Sequence, residues 1–68
     1  MTFSECVLSG KPFTSDELPS MMYFRVKKNI YGARVVYQCY YDPDYGTSQP
    51  VWHIEERFFK MQWRIIEL

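Results

Sequence analysis

Apolar and polar residues alternate most cleanly between Met21 and Tyr41, in the stretch MMYFRVKKNIYGARVVYQCYY. In an extended chain Met22, Phe24 and Val26 fall on one side, and Tyr23, Arg25 and Lys27 on the other. That period of two marks a half-buried strand, and the aromatic and β-branched content suits a pleated surface. The second run is less one-sided, with Ala33, Val35, Tyr37 and Cys39 on one face and Arg34, Val36, Gln38 and Tyr40 on the other. Between them, Asn29-Ile30-Tyr31-Gly32 is a four-residue connection whose Asn and Gly tolerate positive φ. A helix here would set Val26, Ile30, Val35 and Val36 against their rotamer preference, with Gly32 at its centre. The pattern predicts an antiparallel hairpin over about 21–41.

The C-terminal pattern differs. Val51, Ile54, Phe58, Met61, Ile65 and Leu68 recur at spacings of three and four, an apolar stripe at helical period. Pro50 suits a first helical turn, Ser48 is a candidate cap, Glu55 and Glu56 come early, and Glu56 and Lys60 stand four apart. These signals predict a helix over about 51–60 or longer. The run Met61 to Ile66 also alternates, so residues 61–68 read equally as helix or strand. Upstream, Thr2 to Leu8 reads as an edge strand or extended arm, and Ser9-Gly10-Lys11-Pro12 as a turn. Thr14 to Leu18 has the caps and acids of a single helical turn ended by Pro19. The nine residues from Asp42 to Pro50 are dense in turn formers.

The expected architecture is one α+β domain spanning 1–68. A small antiparallel sheet is built on the hairpin, extended by a third strand from either end, and packed against a C-terminal helix. A bare hairpin is marginal in water, so something must cover one face. A small all-β barrel is the alternative if the C-terminal segment forms two strands.

Composition sharpens this reading. The chain has 68 residues, 47% of them hydrophobic and 24% charged, with six Tyr, five Phe and two Trp. A domain of this size buries only about 60% of its unfolded surface, so its core cannot hold every ring. Some aromatics must reach the surface, where clusters mark partner sites. Net charge is zero, which argues against a global field steering the chain to DNA or to an anionic membrane. The N-terminal stretch MTFSECVLSGKPF lacks signal-peptide character, and no window approaches the ~18 apolar residues of a membrane span. The expectation is a soluble cytoplasmic protein without a membrane partner, in which Cys6 and Cys39 are free thiols.

Candidate chemistry is sparse. His53 is the single histidine, no Ser or Cys stands in a nucleophile-elbow context, and Gly10, Gly32 and Gly46 are isolated. The expectation is a non-enzymatic protein without a cofactor. Asp42-Pro43-Asp44-Tyr45-Gly46 matches a calcium loop poorly, with glycine one position early and His53 where the bidentate glutamate belongs. The stretch Cys6-Val7-Leu8-Ser9-Gly10-Lys11-Pro12-Phe13 resembles the first knuckle of zinc-ribbon and treble-clef proteins, with Ser9 where the second cysteine stands. Cys39-Tyr40-Tyr41-Asp42 resembles a second knuckle, with Asp42 in a cysteine's place. That resemblance would imply a degenerate site made from Cys6, Cys39, Asp42 and His53, short of the four Cys and His ligands usual for structural zinc.

Two binding surfaces remain. The leading expectation is a protein-interaction module that binds a partner, or itself as a homodimer, through exposed aromatics. Its candidate residues are Tyr23, Tyr40, Trp52, Phe59 and Trp63, with Tyr23, Arg25, Val36 and Tyr40 as the outer hairpin face. Small accessory or inhibitory proteins of phages and mobile elements are the class anticipated for such a chain. The second expectation is a nucleic-acid-binding hairpin using Arg25, Lys27, Lys28, Tyr31 and Arg34. Against it stands the plain reading of a solvated hairpin end, where lysines discourage edge-to-edge association.

Overall fold

The computed structural model describes residues 1–42, 44 and 46–67. In chain order the elements are helix α1 (Phe3–Ser9), strands β1 (Phe13–Thr14), β2 (Met22–Lys28), β3 (Arg34–Tyr40) and β4 (Gln49–Pro50), a 3₁₀ turn (Glu56–Lys60), and strand β5 (Arg64–Ile65). The strands form one open antiparallel sheet in the order β4-β3-β2-β1-β5. The α+β class is as expected, and the sheet does not close into a barrel.

The β2–β3 hairpin matches the alternation. Asn29 organises its turn without adopting positive φ: its side-chain Oδ1 accepts from the Tyr31 and Ala33 N–H groups at 2.9 and 3.0 Å. Gly32 supplies the left-handed residue, at φ 81°. The register pairs Phe24 with Gln38 and Val26 with Val36, so Val36 and Tyr40 share the face of Met22, Phe24 and Val26. Arg25 pairs with Tyr37 and Tyr23 with Cys39 on the opposite face. The expected outer face of Tyr23, Arg25, Val36 and Tyr40 is therefore corrected. Val36 is buried in the core, and Tyr40 lies on the core side of the sheet.

The N-terminal segment is a helix, not an arm or edge strand. Thr2 and Glu5 close a reciprocal capping box, and Gly10 ends the helix at φ 72°, its N–H donating to Val7 O. Phe3, Cys6 and Val7 turn one stripe inward. Ser15 makes a turn rather than a helix, its Oγ accepting from the Glu17 N–H at 3.2 Å.

The expected C-terminal helix over about 51–60 is absent. The Val51 N–H donates to Val36 O at 2.8 Å, which holds the chain extended beside β3. Pro50 sits in an edge strand, where its missing N–H breaks no ladder. Only Glu56–Lys60 coils, as a 3₁₀ turn without a side-chain cap, and β5 follows. Yet Val51, Ile54, Phe58, Met61 and Ile65 all reach the core. Spacings of three and four are met here by a short 3₁₀ turn between extended segments. Leu68, last in the stripe, lies outside the described residues.

The core is aromatic. Phe3, Phe13, Phe24 and Phe58 surround Trp63, with ring centroids 5.3–5.8 Å from the indole. The indole N–H donates to Phe58 O at 2.7 Å, so its one polar atom is satisfied in the interior. Met1 and Trp63 exchange backbone hydrogen bonds, tying the chain's first residue beside β5.

Candidate functional site

Helix α1 and the 3₁₀ turn both pack on the face of the sheet that carries Phe13 and Phe24. Neither covers the opposite face. There, β2 presents Tyr23, Arg25 and Lys27, and β3 presents Tyr37 beside Arg25 and Val35 beside Lys27. Tyr41 leans onto Tyr23 with centroids 4.7 Å apart. The Arg25 guanidinium lies 5.7 Å from the Tyr23 ring centroid, and the Lys27 ammonium 5.3 Å from that of Tyr37. Rings and cations thus interleave over two strands.

Zero net charge conceals a separation of charge. Arg57, Lys60 and Arg64 pair with Glu55, Glu56 and Asp16. Lys11, Arg25, Lys27, Lys28 and Arg34 have no carboxylate partner among the described residues. Lys28 and Arg34 stand directly opposite one another across the hairpin, an arrangement of like charges that costs stability. Asp16, Glu17 and Asp42 lie at the other end, near the base of the hairpin, where Tyr41 bonds back to Met21. The strand between these ends runs about 20 Å at ~3.3 Å per residue. Tyr31, at the tip, is exposed with Ile30.

The helix side carries an apolar groove of about 360 Å³, lined by Phe3, Ser4, Val7, Leu8, Arg34 and Phe59. Leu8 is 66% exposed and Phe59 55%. The Phe59 ring meets Phe3 edge-on at 5.7 Å. Arg34 forms the groove's cationic rim, with Lys28 next to it.

The five aromatics anticipated as a partner surface do not form one. Trp63 is 3% exposed and belongs to the core, a correction that follows from its packing against four phenylalanines. Tyr40 is half-buried, its hydroxyl accepting from Gln38 Nε2 at 2.8 Å. Tyr23 lies on the open face, Phe59 in the groove, and Trp52, 73% exposed, on the segment after β4. Of the second set, Arg25 and Lys27 share the open face, while Lys28 and Arg34 point to the core side near the tip. Tyr37 and Tyr41 were missed, because only the register places them beside Arg25 and Tyr23.

The four candidate metal ligands are dispersed. Cys6 is buried in α1, where burial pushes its thiol pKa up. Cys39 is buried on the other face of the sheet and accepts from Ser48 Oγ at 3.3 Å. Asp42 and His53 are exposed. Among the described residues no group of three or more His, Cys, Asp and Glu could hold a metal ion. The thiols are not bridged. In the loop from Asp42 to Gly46, Pro43 and Tyr45 lie outside the described residues, and Asp42 Oδ1 accepts from the Asp44 N–H as in an ordinary Asx turn. No helix among the described residues is long and apolar enough to cross a membrane. Comparison with protein-family models, with curated proteins and with solved structures returned no match.

Proposed function

We propose that the chain is a non-enzymatic interaction module that docks an apolar, acidic segment of a partner protein in the groove between α1 and the 3₁₀ turn. The observation that carries this reading is the pair Leu8 and Phe59, large apolar side chains left more than half exposed on either side of one groove. Contiguous apolar surface of this kind is what partner segments bury, and an amphipathic helix laid into a groove is a recurrent solution. The charge of the occupant follows from the rim. Arg34 lines the groove, Lys28 stands beside it, and among the described residues neither has a carboxylate partner and no acid lines the groove. Carboxylates flanking an apolar stripe would complement both cations.

Selection from a displayed random-peptide library on the immobilised protein tests this reading. Wild-type protein should enrich peptides with apolar residues at helical spacing and Asp or Glu beside them. Leu8→Asp and Phe59→Asp, each checked for folding by circular dichroism, should lose that enrichment. Enrichment of basic peptides, or the same peptides on wild type and both variants, would overturn the proposal. A homodimer using this groove would appear as a doubled mass by light scattering that Phe59→Asp returns to monomer, and it would replace the foreign partner with a second copy.

A further inference from the structure

We propose that the open face of the sheet is a second, independent site, and that its ligand is single-stranded nucleic acid. Four observations converge on this ligand. The face is left uncovered by both α1 and the 3₁₀ turn, which pack on the other side. It carries Tyr23 and Tyr37, each half-buried, and Tyr41, 46% exposed, phenol rings of the kind on which unpaired bases stack. Arg25 and Lys27 lie over or beside those rings, at 5.7 and 5.3 Å from Tyr23 and Tyr37. Both cations lack carboxylate partners among the described residues.

The geometry fits a strand better than a duplex. Tyr23 and Tyr37 occupy diagonal positions on neighbouring strands, with Arg25 opposite Tyr37 and next in line after Tyr23 on that face. Diagonal neighbours lie about 7–8 Å apart, so two rings can take two unstacked bases while the cation between them reaches phosphate. Bases are free to lie flat on such a platform only when they are not already stacked in a duplex. Past Arg25 the surface continues into a shallow recess lined by Lys11, Pro12, Arg25, Ile65, Ile66 and Glu67, where Lys11 adds a further cation without a carboxylate partner among the described residues and Glu67 an acid. Toward the hairpin base stand Glu17, Asp42 and Asp16, the last paired with Arg64. That arrangement orients an anionic chain toward the Lys27 end.

Fluorescence anisotropy with labelled RNA and DNA oligonucleotides of about twelve nucleotides, single-stranded and duplex, tests the proposal on the intact chain. Single strands should bind at least about tenfold tighter than the duplex, and the RNA and DNA arms show whether the sugar matters. With two to four phosphates engaged, log affinity should fall with log salt at a slope of roughly −1.5 to −3. Arg25→Glu with Lys27→Glu should weaken binding at least tenfold. Tyr41→Ala, or Tyr37→Ala if the first variant folds poorly, should weaken it about fivefold to a hundredfold, the loss expected for one stacked base. Leu8→Asp should leave it unchanged, which separates this site from the groove. No binding at 100 µM protein (on the order of the weakest non-specific contacts) would overturn the proposal. Equal affinity for duplex and heparin, with both tyrosine variants unaffected, would also overturn it, reducing the face to a general polyanion attractor.

Discussion

The two faces of the sheet are built from adjacent residues of the same strands, yet they sort aromatic chemistry in opposite ways. On the covered face Phe13 and Phe24 meet Phe3, Phe58 and Trp63, and the one polar ring atom among the five is satisfied by Phe58 O. On the open face Tyr23, Tyr37 and Tyr41 stand among Arg25 and Lys27. No described tyrosine is buried, whereas four of the five phenylalanines are. A phenolic hydroxyl needs water or a partner when buried, so tyrosine is the ring that a half-wet surface can keep. The contrast teaches that aromatic richness in so small a chain has two separate causes: one set of rings makes the core, and another decorates the surfaces available to ligands.

The two tryptophans give the widest separation between these sets. Trp63→Ala removes the centre of the aromatic core and should cost about 3–5 kcal/mol, enough to unfold much of a marginal domain. Trp52→Ala, at a residue 73% exposed, should change stability by no more than about 0.5 kcal/mol. Urea denaturation followed by circular dichroism checks both. If Trp52 proved as costly as Trp63, the division of the rings would be broken.

A smaller effect belongs to α1, which holds the covered face and lines the groove. Thr2→Ala should cost about 1 kcal/mol through loss of the N-cap. The Glu5 carboxyl is held below the usual carboxylate range, chiefly by the Thr2 backbone N–H it accepts and then by the Thr2 hydroxyl. A depressed folded-state pKa means that the stabilisation is present above the unfolded-state value and lost as pH falls through the folded one. The amides of Phe3–Ser9 should therefore loosen on acidification, and Glu5→Gln should remove that dependence. Hydrogen exchange across an acid titration reads the difference, and an unchanged acid response in the variant would contradict it.

The smallest effect has the opposite sign. Lys28 and Arg34 face each other across the hairpin with no acid among the described residues to relieve them. Arg34→Glu replaces a repulsive cross-strand pair with an attractive one and should stabilise the free protein by about 0.2–1 kcal/mol. It should at the same time weaken selection of acidic peptides by the groove. A variant both less stable and unaltered in peptide preference would remove the argument from charge.

How much of this was legible depended on element length. The hairpin could be read because seven-residue strands carry a full alternation and Asn29 and Gly32 mark the turn. Helix α1 spans only seven residues, too few for periodicity, although Thr2, Glu5 and Gly10 spelled its two ends. Strands β1, β4 and β5 have two residues each, below the reach of any pattern. The C-terminal stripe correctly picked out residues bound for the core and mistook their conformation, since Val51 is captured by β3 before a helix can start. Among site residues, the grouping of Arg25 with Lys27 followed from strand alternation. The addition of Tyr37, and the removal of Val36 and Tyr40 to the other side, required a register that short-range pattern does not contain.

Tyr23 and Phe24 are neighbours in sequence and lie on opposite faces, so replacing each with alanine tests the assignment most directly. Parallel denaturation of the two variants should show Phe24→Ala losing about 3–5 kcal/mol. Tyr23→Ala should lose about 1 kcal/mol, the value of its contacts with Tyr41 and Arg25. Equal losses, or a larger loss at Tyr23, would mean that the open face is packed like the other and is not a surface held free for a ligand.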